Sequence, residues 1–336
     1  MKIFQKCVAT VALIAASLGS AQAQTAGIDN PSRNAFLQAV KGKRVVWIPM
    51  TMQVDLTIAW TKMIERQAKE MGYSVEMRDA NWSTDLGAKA LTAAISAKPD
   101  LIVLQNADVQ SYARLIKQAM DAGIRVLQVN MESLQRSDGY VGADWVGIGY
   151  TAGKEVIARC GKGKGRSSKV QIVMGVPTSP ADLYQVFGFR KALAEAPEIQ
   201  VVSQQAAAYD PTKARTITAS VLQQHPDLCA SFGIFDAMDA GVGAAVKEAG
   251  QAGKVFVVTS GGGAETACQK IKEDIFSMVI AYDVRPGGSA INTMIANLLQ
   301  TKPRGAAESV AYYTPNRLIT KANMTTGSCW SPQDVY

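Results

Sequence analysis

The sequence predicts an α/β protein built from two doubly wound parallel-sheet domains. Three observations carry that prediction. Apolar strand-like runs alternate with amphipathic helical segments from about residue 43 to 322, and the alternation starts afresh near residue 170. The chain also has 336 residues, 48% hydrophobic and 19% charged, which suffices for two domains of ordinary size with a large core. Continuous apolar strands separated by helices imply a parallel sheet covered on both faces.

The first element is an export signal. Lys2 and Lys6 precede an apolar run from Val8 to Leu18, and Ala21, Gln22 and Ala23 fit the small-x-small pattern of a signal-peptidase site. Cleavage near Ala23 puts the mature start near Gln24. The run is about half of the roughly 20 apolar residues that span a bilayer as a helix. Cys7 lies inside the run and not at its small-residue end, which argues against a lipid anchor. No later stretch reads as a membrane span, so the mature protein is expected to be soluble. Removing residues 1–23, which hold two lysines and no acid, lowers the formal charge from +7 to +5.

Residues 44–49, 74–77, 101–104 and 126–129 read as strands. Between them, 56–71, 86–96 and 111–122 carry apolar residues at helical spacing, with Gly72 and Gly123 placed where helices end. In the second half, strands at 170–174, 201–204, 231–234 and 255–259 alternate with helices near 182–195, 212–224, 237–249 and 264–272. A strand at 277–281, a helix at 287–299 and further short strands are too small for a third domain and are expected to complete the first two.

Two such domains behind a signal peptide resemble the periplasmic ribose-binding family, of the type I periplasmic binding protein fold. The residues that carry the resemblance extend along nearly the whole mature chain. Residues 45–51 followed by Gln53, Val54 and Asp55 are similar to the family's first strand and ligand loop, and 68–73 to the end of its first helix. Residues 100–106 and 124–130 resemble the third and fourth strands, with Asn130 where the family commonly has a ligand-binding aspartate. Residues 141–144 look like a hinge crossing. Gly188, Phe189, Ala192 and Leu193 resemble the second domain's first helix, and 224–227 with 232–238 its third strand region.

The resemblance implies an N-terminal lobe of residues 43–143 plus 284–312 and a C-terminal lobe of 146–281 plus 315–336. A three-segment hinge would join them near Asp144, Ala281 to Asp283, and Tyr313 to Pro315. It further implies a periplasmic, monomeric solute-binding protein. Such a protein closes on a small polar ligand, a sugar or polyol, and delivers it to the permease of an ABC transporter. It uses no cofactor, metal or catalytic residue. A sensory receptor, or a binder of a non-sugar ring, is the alternative. The ligand would lie where the carboxyl ends of the strands converge.

Sugar sites need short polar side chains for hydroxyls and aromatic faces for C–H surfaces. The candidates placed just after strands are Gln53, Asp55, Asn106, Asn130 and Glu132 in the first lobe, and Tyr184, Tyr209, Phe235 and Asp236 in the second. Trp145 and Tyr282 stand near the crossings. Tyr184, Tyr209 and Phe235 also read as core aromatics. Asp55 and Asp236 also read as caps at helix starts. The family's Asp-Arg pair becomes Asn130-Met131, a second ligand arginine becomes Leu183, and Gly261 replaces an aspartate. Ribose itself is therefore not the expected ligand. Fewer charges and more aromatic surface suit a polyol, a deoxy sugar or a less polar ring.

Cys160, Cys229, Cys268 and Cys329 form an even set in an exported chain, where disulfides persist. The fold puts all four in the second lobe. Of three possible pairings, Cys160 with Cys229 and Cys268 with Cys329 is favoured, although the sequence leaves connectivity open. No zinc-ligand spacing occurs. The glycines of residues 147–153 have the wrong final spacing for a dinucleotide loop and read as close packing. The basic loop 162–169 precedes a strand and so is not a phosphate loop. Residues 260–263 follow a strand and fit either a flexible turn or backbone contact with ligand. His225, the sole histidine, reads as a helix-to-strand loop residue. Spread basic residues and export together exclude nucleic acid as a partner.

Overall fold

A computed structural model describes residues 30–303, 306–331 and 335. The signal segment 1–23 lies outside the described residues. The first half comprises α1 (Pro31–Val40), β1 (Arg44–Ile48), α2 (Asp55–Met71), β2 (Ser74–Met77), α3 (Thr84–Ala97), β3 (Leu101–Leu104), α4 (Ala113–Asp121), β4 (Arg125–Val129) and β5 (Gly139–Ala143). The second comprises α5 (Trp145–Cys160), β6 (Lys169–Met174), α6 (Pro180–Leu193), β7 (Gln200–Ala206), α7 (Pro211–Gln224), β8 (Ala230–Gly233), α8 (Asp236–Glu248), β9 (Phe256–Gly261), α9 (Glu265–Lys272) and β10 (Met278–Ala281). Then come α10 (Val284–Gln300), β11 (Val310–Thr314) and β12 (Arg317–Thr320).

The strands form two six-stranded sheets, ordered β11-β5-β4-β3-β1-β2 and β12-β10-β9-β8-β6-β7. The first is parallel throughout. In the second, β12 runs antiparallel to β10, so this sheet is parallel except for one edge. The alternation of side chains explains the continuous apolar runs. On β3, Leu101 and Val103 join the core under α2 and α10, while Ile102 and Leu104 join a separate core with Leu91 and Ile116. The edge strand β2 is mostly exposed, as a strand with one neighbour can be.

Three elements were not anticipated. Helix α1 is short and packs on α10. Strand β5 stands where the sequence suggests only a crossing. Helix α5, which spans the glycine-rich residues 147–153, is amphipathic only weakly because glycines occupy its buried face. A Cβ at Gly149 would lie 1.9 Å from the Gln185 carbonyl, and one at Gly188 2.0 Å from that of Val146. The glycines therefore let α5 and α6 pack backbone to backbone.

Sheet membership changes between β5 and β6, between β10 and β11, and between β11 and β12. Asp283, after β10, and Arg317, at the start of β12, form an ion pair at 2.7 Å that ties two of these connections together. Disulfides join Cys160 to Cys229 and Cys268 to Cys329, with Cα atoms 5.9 and 6.1 Å apart. Among the described residues no helix is long and apolar enough to cross a membrane.

Candidate functional site

The carboxyl ends of the strands in the two sheets face one another across a cavity. The first lobe contributes Met50, Thr51, Val54, Trp82, Gln105 and Asn130. The second contributes Ala181, Tyr209, Ile234 and Phe235, and Trp145 and Tyr282 stand where the lobes join.

Each polar member of the first-lobe wall is set by backbone. Gln105, immediately after β3, accepts the Met50 N–H through Oε1 at 2.9 Å. Asn130, immediately after β4, takes a left-handed backbone with φ 60°, a conformation asparagine tolerates. Its Oδ1 accepts the Ala143 N–H at 3.3 Å, and its carbonyl accepts the Trp145 indole N–H at 2.6 Å. Thr51 Oγ1 accepts the Gln53 N–H at 3.1 Å.

The second-lobe wall is aromatic. Tyr209 follows β7 at φ 60°, and its ring lies 5.3 Å from Trp82 and 6.1 Å from Phe235 between centroids. The Trp82 contact bridges the lobes over the cavity. The Tyr209 hydroxyl donates to Asp182 and lies 2.9 Å from Ser179 Oγ. Trp145 and Tyr282 meet edge to face at 5.0 Å.

Behind the aromatic wall stand three carboxylates, none of them in an ion pair among the described residues. Burial pushes Asp182 up to about 6 against its hydrogen bonds from Tyr209, Gly175, Val176 and Ser179. Asp236 keeps some solvent contact yet is hemmed in by protein. Desolvation pushes it up to about 7, with the Asp55 carboxylate of the opposite lobe adding to the rise. Burial also holds Asp239 well above the usual carboxylate range, although Thr259 and the Phe235 N–H donate to it.

Of the residues singled out by sequence, Asn130, Trp145, Tyr209, Phe235 and Tyr282 line the cavity. The others stand aside from its lining. Gln53 is exposed and donates to Asn81 at 2.7 Å. Asp55 is exposed in the first turn of α2. Asn106 is fully buried and braces the loop beyond β4 through Gln128 Oε1 at 2.8 Å and the Met131 carbonyl at 2.7 Å. Tyr184 and Glu132 are half-buried outside the cavity. Asp236 opens α8, and its Oδ1 accepts the Ala237 N–H at 2.8 Å. Leu183 is 41% exposed.

Sequence reasoning missed Thr51, Trp82, Gln105 and Asp182. Gln105 and Asn106 point to opposite sides beyond β3, and side-chain parity alone does not say which of the two faces the cavity. Trp82 lies in a loop without a pattern and gave no signal. Among the described residues no cluster of histidine, cysteine, aspartate or glutamate is arranged to hold a metal ion.

Residues 45–303 match a family model described as a periplasmic binding protein domain. The ribose import binding protein of Bacillus subtilis is 27% identical over 232 residues, which cover 69% of this chain and 73% of that protein. A D-ribose/D-allose-binding protein of Pseudomonas aeruginosa is 30% identical over 164 residues, 47% of this chain and half of that protein. Two solved structures share the fold. An ABC transporter solute-binding protein from Agrobacterium vitis, bound with α-D-tagatopyranose, has TM-score 0.74 at 23% identity and covers 85% of this chain and 97% of its own. A carbohydrate transporter solute-binding protein from Agrobacterium radiobacter, in complex with D-arabinose, has TM-score 0.75 at 19% identity with the same coverage.

Proposed function

This chain belongs to the periplasmic binding protein domain family, a family of sugar-binding transport proteins and not of enzymes, and from that membership we propose that it captures a sugar or polyol between its lobes. It is exported to the periplasm, its signal peptide is removed near Ala23, and as a monomer it delivers the ligand to the permease of an ABC transporter. The lobes, residues 43–143 plus 284–312 and 146–281 plus 315–336, move about the three connections near Asp144, Asp283 and Tyr313. Asn130, Trp145, Tyr209, Phe235 and Tyr282 contact the ligand, joined by Thr51, Trp82 and Gln105.

The observation that carries this reading is the cavity at the carboxyl ends of both sheets, with Trp82 of one lobe against Tyr209 of the other. A wall drawn from two bodies can admit a ligand by opening and exclude water by closing, which makes each hydrogen bond to the ligand more selective. The test is a thermal-shift screen of the mature protein against pentoses, hexoses, polyols and non-sugar rings. A ligand that binds only the folded state raises the melting temperature. A shift confined to sugars or polyols supports the reading. A shift only with another ring overturns the ligand assignment.

A further inference from the structure

The two walls of the cavity differ in what they leave unpaired. Gln105 and Asn130 both spend their amide oxygens on backbone N–H groups, of Met50 and Ala143. An N–H can be met there only by the oxygen, which fixes both amides with the NH₂ group as the free end. Neither NH₂ has a partner among the described residues, although the two side chains are only 4% and 5% exposed and line the cavity. The first lobe therefore offers two hydrogen-bond donors whose own needs are unmet.

On the opposite side the polar ends are engaged except for the Tyr282 hydroxyl, which stands where the lobes join and has no partner among the described residues. The Tyr209 hydroxyl is held by Asp182 and Ser179, and the Trp145 N–H by the Asn130 carbonyl, so both present ring surface to the cavity. Ala181, Ile234 and Phe235 add hydrocarbon. No lysine, arginine or histidine lines the cavity among the described residues. An anion enclosed there would lose its water without gaining a counter-ion, and the raised carboxyl of Asp236 stands nearby. A cation would meet the two NH₂ donors head on.

We infer that the ligand is uncharged, meets the first lobe through two acceptor oxygens and turns a hydrocarbon face to the second, as a 6-deoxy sugar in its ring form does. The inference rests on the proposed sugar-binding function and narrows it. A hydroxyl directed at Phe235, Ile234 and Ala181 would lose water and find no partner there, so the parent hexose binds less tightly than its deoxy form.

The experiment is calorimetric titration of the mature protein with 6-deoxy hexoses, each beside its parent hexose and its uronate: fucose with galactose and galacturonate, rhamnose with mannose and mannuronate, quinovose with glucose and glucuronate. We expect at least one deoxy sugar to bind at least ten-fold more tightly than its parent, with no uronate binding. A parent or uronate that binds as tightly overturns the inference, as does binding of pentoses or open-chain polyols alone; both outcomes leave the sugar- or polyol-binding function standing. No response to any sugar or polyol overturns that function as well.

Two variants test the donors directly. Asn130→Asp and Gln105→Glu each keep the oxygen that meets the backbone and replace the NH₂ with an acceptor. Each should weaken deoxy-sugar binding at least ten-fold while leaving the melting temperature of the ligand-free protein within a few degrees. Unchanged affinity in a folded variant contradicts the donor assignment.

Discussion

The two lobes repeat one strand order and differ in the polar groups buried at the carboxyl ends of their strands. At the carboxyl ends of the strands in the first lobe the buried polar residues are neutral: Thr51, Gln105, Asn106, Gln128 and Asn130, linked by bonds such as Asn106 Nδ2 to Gln128 Oε1. At the matching ends of the second lobe acids are buried among neutral Ser179, Gln185, Thr259 and Ser260: Asp182 and Asp239 are fully or almost fully buried, and Asp236 is crowded. The second lobe also carries both disulfides. The difference teaches that one architecture can divide the work of a cleft. Amides, which stay neutral at any pH, face the cavity in the first lobe. An acid in the second lobe, Asp182, holds the aromatic wall from behind through the Tyr209 hydroxyl.

The largest expected effect concerns the disulfides, which only the second lobe carries among the described residues. The Cys160–Cys229 bond closes a separation of 69 residues, for which chain entropy gives about 4 kcal/mol. Replacing both cysteines with alanine should lower the melting temperature strongly, and calorimetry should show the second lobe melting before the first. A single transition at the original temperature would remove the asymmetry between the lobes.

Acidity supplies the next effect. Asp182 and Asp236 have folded values raised to about 6 and about 7 from 3.8, so both bind protons more tightly when folded. Their contribution to stability is then fully present below the unfolded value and is lost as pH rises through the folded ones. Thermal unfolding between pH 5 and 8 should show stability falling by on the order of 1–3 kcal/mol, and Asp236→Asn should flatten the upper part of that slope. Stability that rises over this window would contradict the description of the second lobe.

A smaller effect separates bracing from ligand contact. Tyr209→Phe keeps the ring and removes the donor to Asp182. Thermal unfolding should show a loss of about 1–3 kcal/mol, the cost of an unsatisfied buried acceptor. Ligand affinity should change less than about threefold, because the hydroxyl faces Asp182 and not the cavity. An affinity loss as large as that of a ring deletion would place the hydroxyl on the ligand.

The smallest lies outside the cavity. The Val109 N–H of the first lobe donates to the Thr178 carbonyl of the second at 3.0 Å, and the Thr178 hydroxyl bonds Asp108. Both contacts exist only while the lobes are together. Thr178→Val should raise Kd by roughly 2–10-fold, the worth of one hydrogen bond, and by the same factor for every ligand. A ligand-dependent factor in titration would instead place Thr178 in the specificity of the site.

Most of the frame was legible in the sequence because central parallel strands are buried on both faces. Residues 101–104 could be read as a strand for that reason, and Gly72, at φ 79°, marks a helix end by its backbone requirement. Helix α5 was not legible, since glycines that permit close packing erase the apolar stripe that identifies a helix. The site was legible where a residue directly follows a strand, as Asn130 does. It was misplaced by one residue at Asn106, because only the twist of the chain beyond β3 decides which of two adjacent amides faces the cavity. Asp182 escaped notice because its role depends on Tyr209, 27 residues away.

The central claim is tested most directly by a crystal structure of the mature protein with the sugar that gives the largest thermal shift. The account predicts that sugar enclosed between the lobes, with oxygens on the NH₂ groups of Gln105 and Asn130 and its hydrocarbon face on Tyr209 and Phe235. A ligand bound outside this cavity, or one whose hydroxyls point into the aromatic wall while the two amides remain unpaired, would contradict it.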